Sequence, residues 1–178
     1  FGELCDTPAL GFLIGLYLSE GCVRANKYIC FAVTESDVKA KLLNCLQKLE
    51  LTGLDDRSVA VVVGCAQLAR AFGAAFGKGA ANKCLPGWVF AASLPFRKAV
   101  VDGYWSGDGS VYPQGDTVSA SAQTDSARLA RDMQALLSGM GVRCSVSAFQ
   151  RSYDGVFKNA NEIHYRLHVA AADVGGMP

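Results

Sequence analysis

The chain runs to 178 residues, about half of them apolar, with a formal net charge of +1. That length fits one domain or two small, intimately packed halves, and the apolar share is enough for a sizeable core. The near-neutral balance excludes a uniformly basic nucleic-acid binder, so such a partner requires the cations to be sorted onto one surface.

In chain order, residues 9–18 form the longest uncharged apolar run, too short to span a bilayer. Small residues recur every fourth position at Gly11, Gly15 and Ser19, and residues four apart share a helix face. The other faces carry Phe12, Leu13, Ile14, Leu16 and Leu18. A buried helix with one small-residue stripe is predicted, ending at Glu20-Gly21. Strands at 22–25 and 28–33 make a hairpin around Asn26-Lys27. Ser36 caps a helix through 50 with Leu42, Leu43, Leu46 and Leu49 as its stripe, and Gly53 breaks it. A strand over 57–63 and a closing helix over 66–76 complete the first half. Residues 77–95 are a linker.

The second half repeats this order. Ala99, Gly103 and Gly107 lie on one face of a helix that carries Val100, Val101, Tyr104 and Trp105 on the others and ends at Asp108-Gly109. Strands 110–112 and 117–123 flank a turn at Pro113-Gln114-Gly115. Asp125 caps a helix through 138, with Leu129, Met133, Leu136 and Leu137 inward. Strands 141–149 and 162–169 follow, joined by a polar loop that contains Arg151. The last helix is missing or shortened, which points to a truncated or unresolved end. No basic leader with a cleavage site is visible, and the chain begins without Met, as a fragment would. The reading is an α+β fold. It is a pseudo-two-fold tandem αββαββα repeat (1–76 and 96–178) with a concave antiparallel sheet in each half.

The duplication carries chemistry. Gly15-Leu-Tyr-Leu-Ser-Glu20-Gly21-Cys-Val23 is matched 88 residues on by Gly103-Tyr-Trp-Ser-Gly-Asp108-Gly109-Ser-Val111. Two helices packed on their small stripes would set Glu20 and Asp108 side by side. Each acid then faces the negative end of a helix dipole, and each raises the other's pKa. A divalent cation reverses both penalties, and oxygen ligands suit Mg²⁺ or Ca²⁺ rather than zinc. The alternative is two solvated helix ends with Gly21 and Gly109 as C-caps.

Side chains alternate faces along a strand. In the second half the polar faces are Thr117, Ser119, Ser121 and Gln123; Arg143, Ser145 and Ser147; and Glu162, His164, Arg166 and His168. The opposite faces, including Val118 and Ile163, are apolar. A β-ribbon fits the major groove, where such side chains read base edges; the alternative is a solvated sheet face. In the first half only Arg24, Asn26, Lys27 and Arg57 look ready to meet DNA. If the halves read different sequences, a DNA target would be an imperfect palindrome, each half covering about one turn, ~34 Å. Arg97 and Lys98 read as phosphate or surface contacts.

Other chemistry is poorly supported. His164 and His168 would lie ~13 Å apart on a strand, at ~3.3 Å per residue, too far to share a metal. The segment 73–79 lacks the spacing and the Ser or Thr of a phosphate loop. The seven cysteines are odd in number with no Cys-x-x-Cys. They read as small reduced core residues of an intracellular protein.

Both acid-bearing segments resemble the signature helices of the LAGLIDADG homing endonucleases in their two-motif, single-chain form. The lead-in Asn82-Lys83-Cys-Leu-Pro86-Gly-Trp88-Val-Phe90, followed by Leu94-Pro95-Phe96, is similar to the Lys-x-x-Pro-x-Trp stretch of intein-borne endonuclease domains. The resemblance covers about 9–169. It implies a monomer that cuts both strands of a long, imperfectly palindromic DNA site and leaves short 3′ overhangs, in the service of intron or intein homing. It implies Mg²⁺ as cofactor, with Ca²⁺ or Mn²⁺ able to substitute, held by Glu20 and Asp108. Lys83 falls where the family places a basic residue near the cleavage centre; a linker lysine on backbone phosphate is the other reading. Gln123 and Thr34 would support the acids. An intein origin would leave the splicing parts absent here. The rival is a nuclease-inactive RNA maturase or DNA-binding regulator; a purely structural domain is a third reading.

Overall fold

Helix α1 (Pro8–Glu20) opens on Pro8, whose fixed φ suits a first turn, behind Thr7, whose hydroxyl accepts from the Leu10 N–H at 3.4 Å. Helix α5 (Leu94–Asp108) opens the same way: Pro95 lies in its first turn, and the Ser93 hydroxyl accepts from the Phe96 N–H at 3.4 Å. The computed structural model describes residues 6–114, 117–150 and 163–177.

After α1 come β1 (Gly21–Arg24), β2 (Tyr28–Phe31), α2 (Ser36–Lys48), β3 (Leu54–Arg57), β4 (Ala60–Val63) and α3 (Ala66–Ala75). A 3₁₀ turn (Ala80–Asn82) and the short α4 (Trp88–Ala91) lead to α5. There follow β5 (Gly109–Gln114), β6 (Thr117–Thr124), α6 (Ala127–Ser138), β7 (Cys144–Gln150), β8 (Ile163–Val169) and the single-turn α7 (Ala171–Val174). Each half forms a four-stranded antiparallel sheet, with orders β1-β2-β4-β3 and β5-β6-β8-β7. The topology is that of the tandem repeat, with the single-turn α7 after β8.

The core lies between the α1–α5 pair and the inner faces of both sheets. Ile29, Phe31, Val61 and Val63 line the first sheet, and Ala120, Ala122, Leu167 and Val169 the second. Leu42 and Leu46 of α2 and Leu129, Met133, Leu136 and Leu137 of α6 join them. Every residue from Gly11 to Leu18 is buried, which is why α1 is apolar all round. Among the described residues no helix is long and apolar enough to cross a membrane.

Four local expectations are corrected. The expected strand over 57–63 is a hairpin, with β3 turning at Ser58-Val59 into β4. Asp55 and Asp56 hid β3, because two adjacent acids do not read as a strand: Arg57 pairs with Asp55 within β3, and Lys39 of α2 pairs with Asp56 only on folding. Glu35, not Ser36, sits at the N-cap of α2, and no side chain caps it. Ser126 rather than Asp125 caps α6, its hydroxyl accepting from the Leu129 N–H at 3.1 Å. Six cysteines (Cys22, Cys30, Cys45, Cys65, Cys84 and Cys144) are unbridged but half-buried, at the margin of the core rather than in it.

Candidate active site

Helices α1 and α5 run parallel and touch through glycine. A Cβ at Gly15 would collide with the Val100 carbonyl, and one at Gly103 with the Phe12 carbonyl. One at Gly11 would sit 2.6 Å from the Phe96 carbonyl oxygen, and one at Gly107 2.7 Å from Glu20 Cγ. The contacts advance in step along both helices, so the two acid-bearing ends finish together.

Gly21 and Gly109 are not left-handed caps. Their φ values are −91° and −87° with ψ near 150°, so each helix passes directly into a strand. Glycine is required there for space: a Cβ would come within 2.5 Å of Tyr17 at Gly21 and of Trp105 at Gly109. Tyr17 and Trp105 are matching positions of the two motifs. Each carboxylate thus closes a helix at the point where the chain enters its sheet.

Lys83 reaches this junction from the linker. It is only 6% exposed. Its ammonium donates to the Ser19 carbonyl at 3.1 Å and lies 5.5 Å from the centre of the Tyr17 ring. The backbone around it is pinned to α6: the Ser126 hydroxyl donates to the Lys83 carbonyl at 2.7 Å, and the Leu85 N–H donates to Asp132 at 2.9 Å. Burial pushes the Lys83 pKa down, and the charges of Asp108 and then Glu20 oppose it. One cation therefore feels both acids. The Glu20 carboxyl is raised, chiefly by burial, with Lys83 opposing and Glu35 adding to the rise.

Lys83, Asp108, Gln123, Asp125 and His164 line one pocket of about 240 Å³. His164, expected to face DNA, is 7% exposed, and its Nδ1 lies 2.6 Å from Asp125 Oδ1. The Phe149 ring packs beside the imidazole at 5.7 Å. Sequence reading missed this pair, because it placed Asp125 on a helix cap and His164 on an open sheet face. By register Asp125 corresponds to Thr34, Gln123 to Ala32 and His164 to Ser58. The acid–imidazole pair therefore exists in one half only. A larger apolar cavity of about 380 Å³, between Leu13, Leu49, Phe72 and Trp88, contains none of these groups.

On the outer face of the second sheet, Ser110, Ser121, His168 and Ser145 form one row across all four strands, and Gln123, Arg166 and Ser147 another. Thr117, Arg143, Ser145, Ser147 and Arg166 are exposed, and Gln123 and His168 are half-buried. Ser119 is fully buried and Ser121 nearly so; Ser121 and Ser110 share a 3.2 Å hydroxyl contact. The Arg166 guanidinium sits 4.9 Å over the Phe149 ring, and Arg143 is bound by Asp173 at 3.0 Å. Val118 and Ile163 are exposed at strand ends rather than turned to the helices. Arg151 and Glu162 lie outside the described residues. In the first half Arg24 and Lys27 are exposed around a turn whose Ala25 and Asn26 have positive φ. Arg57 is exposed but held by Asp55 at 2.6 Å. Arg97, expected at the surface, directs its guanidinium to the Gly139 carbonyl at 3.3 Å.

Among the described residues no group of three or more His, Cys, Asp or Glu side chains could hold a metal ion. Glu20 and Asp108 are the oxygen donors here that a hard divalent cation could take, one or two carboxylates with water completing its shell.

Residues 95–162 match the family model of the LAGLIDADG-like domain. Comparison with curated proteins gives no match. The fold is similar to full-length DUF199/WhiA from Thermatoga maritima, at TM-score 0.64 and 10% identity, over 95% of this chain and 53% of that one. It is similar to the N-terminal LAGLIDADG domain of DUF199/WhiA at TM-score 0.61 and 10% identity, over 94% and 78%. It is similar to the homing endonuclease I-DmoI in complex with DNA and Ca at TM-score 0.59 and 10% identity, over 93% and 84%. The chain thus spans about half the length of full-length DUF199/WhiA. It shares the LAGLIDADG fold of these structures, and the segment 95–162 within its second half resembles the LAGLIDADG-like domain.

Proposed function

We propose that this chain is a site-specific endonuclease that cuts both strands of DNA. The observation that carries the reading is a glycine-lined helix pair whose two acid-bearing ends finish together, with a buried lysine in the field of both acids. Glu20 and Asp108 would hold Mg²⁺, with Ca²⁺ or Mn²⁺ able to substitute, and the ion's chemistry there is neutralisation of phosphate charge and activation of water. Lys83, fixed by Ser126 and Asp132, stabilises negative charge developing on a phosphate. Asp125 fixes the orientation of His164, which serves the strand cut beside Asp108.

Arg143, Ser145, Ser147, Arg166, His168, Gln123 and Thr117 would contact DNA from the second sheet, and Arg24, Lys27 and Arg57 from the first. Ser119 and Ser121 shape that face from beneath, as buried residues. The different outer faces of the sheets support an imperfectly palindromic site read by a monomer, and the resemblance supports short 3′ overhangs and a role in intein or intron homing.

The second reading is a nuclease-inactive RNA maturase or DNA-binding regulator. The comparable likeness to DUF199/WhiA favours it, because this fold is not confined to a homing endonuclease. Selecting a site from a randomised DNA library, then assaying cleavage with Mg²⁺, separates the two. Double-strand cleavage is expected; tight binding without cutting supports the second reading.

A further inference from the structure

The first sheet holds two thiols where the second holds two hydroxyls. Cys22 faces Cys30 across β1 and β2, and the matching residues of β5 and β6 are Ser110 and Ser121, whose Oγ atoms are 3.2 Å apart. The Ala32 N–H donates to the Glu20 carbonyl at 3.0 Å. Two residues further along each strand, Cys22 and Cys30 are therefore also a pair of the hydrogen-bonded kind. Such pairs have Cα atoms about 5.5 Å apart, within the ~4.4–6.8 Å that a disulfide spans. Both thiols are half-buried, on the same outer face as Arg24. Beside Cys30 opens a groove of about 320 Å³ flanked by Arg24 and by the Arg57–Asp55 pair.

We propose that Cys22 and Cys30 form a modification site for small anionic disulfides, closing on exchange into a bond across the first sheet. The Arg24 guanidinium suits a reagent that carries carboxylates, such as glutathione disulfide, while Arg57 is already paired with Asp55. One cysteine sulfur attacks a sulfur of the reagent and releases one glutathione thiol. The second cysteine sulfur attacks the mixed disulfide and releases the other. Two protein thiols are oxidised, one glutathione disulfide is reduced, and the two thiol hydrogens leave on the two glutathione molecules. Burial and then Cys22 raise the Cys30 thiol, with Arg24 and Arg57 opposing; uncatalysed disulfide exchange runs over minutes to hours. The product ties β1, the strand that leaves Glu20, to its neighbour. This thiol chemistry stands independently of nuclease activity.

The test is incubation of the purified chain with glutathione disulfide, alkylation of remaining thiols and tryptic mapping. A dithiothreitol-reversible link is expected between the fragment ending at Arg24 and the one beginning at Tyr28. It should vanish in Cys22→Ser and in Cys30→Ser. Both variants should keep native circular dichroism, because Ser110 and Ser121 already fill the matching sheet positions. Cys5 shares a tryptic fragment with Cys22, so a link that persists in Cys22→Ser overturns the proposal. Glutathione adducts without a link, or two unmodified thiols, overturn it equally. If a serine variant fails to fold, fragment sequencing of the linked wild-type peptides locates the sulfur bond and decides.

Discussion

The two halves share a scaffold and differ in what they mount on it. Caps, helix stripe, acid-glycine junction and strand order are matched between them. Their outer faces are not: a row of Cys22, Cys30, Val62 and Asp55 in the first sheet stands where Ser110, Ser121, His168 and Ser145 stand in the second. Thr34 and Ser58 likewise stand where the second half has Asp125 and His164. The seam is constrained by backbone contact, which tolerates only glycine at its tightest points. The faces meet solvent or a partner and are free to diverge. What stayed equal is what positions the acids, and what diverged is what would distinguish one DNA half-site from the other.

The largest expected effect tests the equality. Glu20→Gln and Asp108→Asn should each lower cleavage of the selected DNA roughly 10³-fold, with affinity for that DNA largely intact in a gel-shift assay. Without metal, Glu20→Gln should melt no lower than the parent at neutral pH. A carboxyl raised by burial is destabilising once pH exceeds its unfolded value, and the amide removes that penalty. Undiminished cutting by either variant would refute the paired roles.

Next comes a test of the asymmetry. His164→Ala should slow the cut on one strand by roughly 10²-fold and spare the other, so that supercoiled plasmid accumulates as nicked circles. Equal loss on both strands would contradict a role confined to the second half.

The seam itself is tested by Gly15→Val. The added Cβ collides with the Val100 carbonyl, so the urea midpoint should fall by the equivalent of at least ~2 kcal/mol. Gly141→Ala offers a contrast: no atom lies within reach of a Cβ there, and only its φ of +80° stands against substitution.

The smallest effect is at alkaline pH. Burial pushes the Tyr17 phenol up to about 12, against an ordinary value near 10. The neutral form is the one the fold favours, and its hydroxyl donates to the Gly77 carbonyl at 2.6 Å. Its contribution is present in full below pH ~10 and is lost as pH rises towards the folded value. Tyr17→Phe should therefore soften the decline of the urea midpoint between pH 9 and 11, measured by circular dichroism.

Much of this architecture was legible because its signals are local. Small residues every fourth position, an apolar surround and an acid followed by glycine state a tight parallel helix pair, and the repeat states it twice. The unread features depend on tertiary contact. Strand β3 is disguised by Asp55 and Asp56: Arg57 answers the first within the strand, but the second acquires its cation only when Lys39 of α2 arrives. The role of Gly21 and Gly109 was open in the sequence, because residue type alone cannot separate a left-handed cap from a site with no room for Cβ. Asp125 pairs with a histidine 39 residues on, and nothing in the local sequence distinguishes it from a helix cap. Ser119 and Ser121 alternate correctly with the apolar residues of β6, yet an inner strand of a four-stranded sheet buries even its polar face when the side chains are small.

The most direct measurement is a crystal structure of the protein with its selected DNA and Mn²⁺, read by anomalous scattering. The account predicts anomalous density within coordination distance of both the Glu20 and the Asp108 carboxylates and of the scissile phosphates, with the Lys83 ammonium nearby. Density at neither acid, or carboxylates turned away from the phosphates, would contradict it.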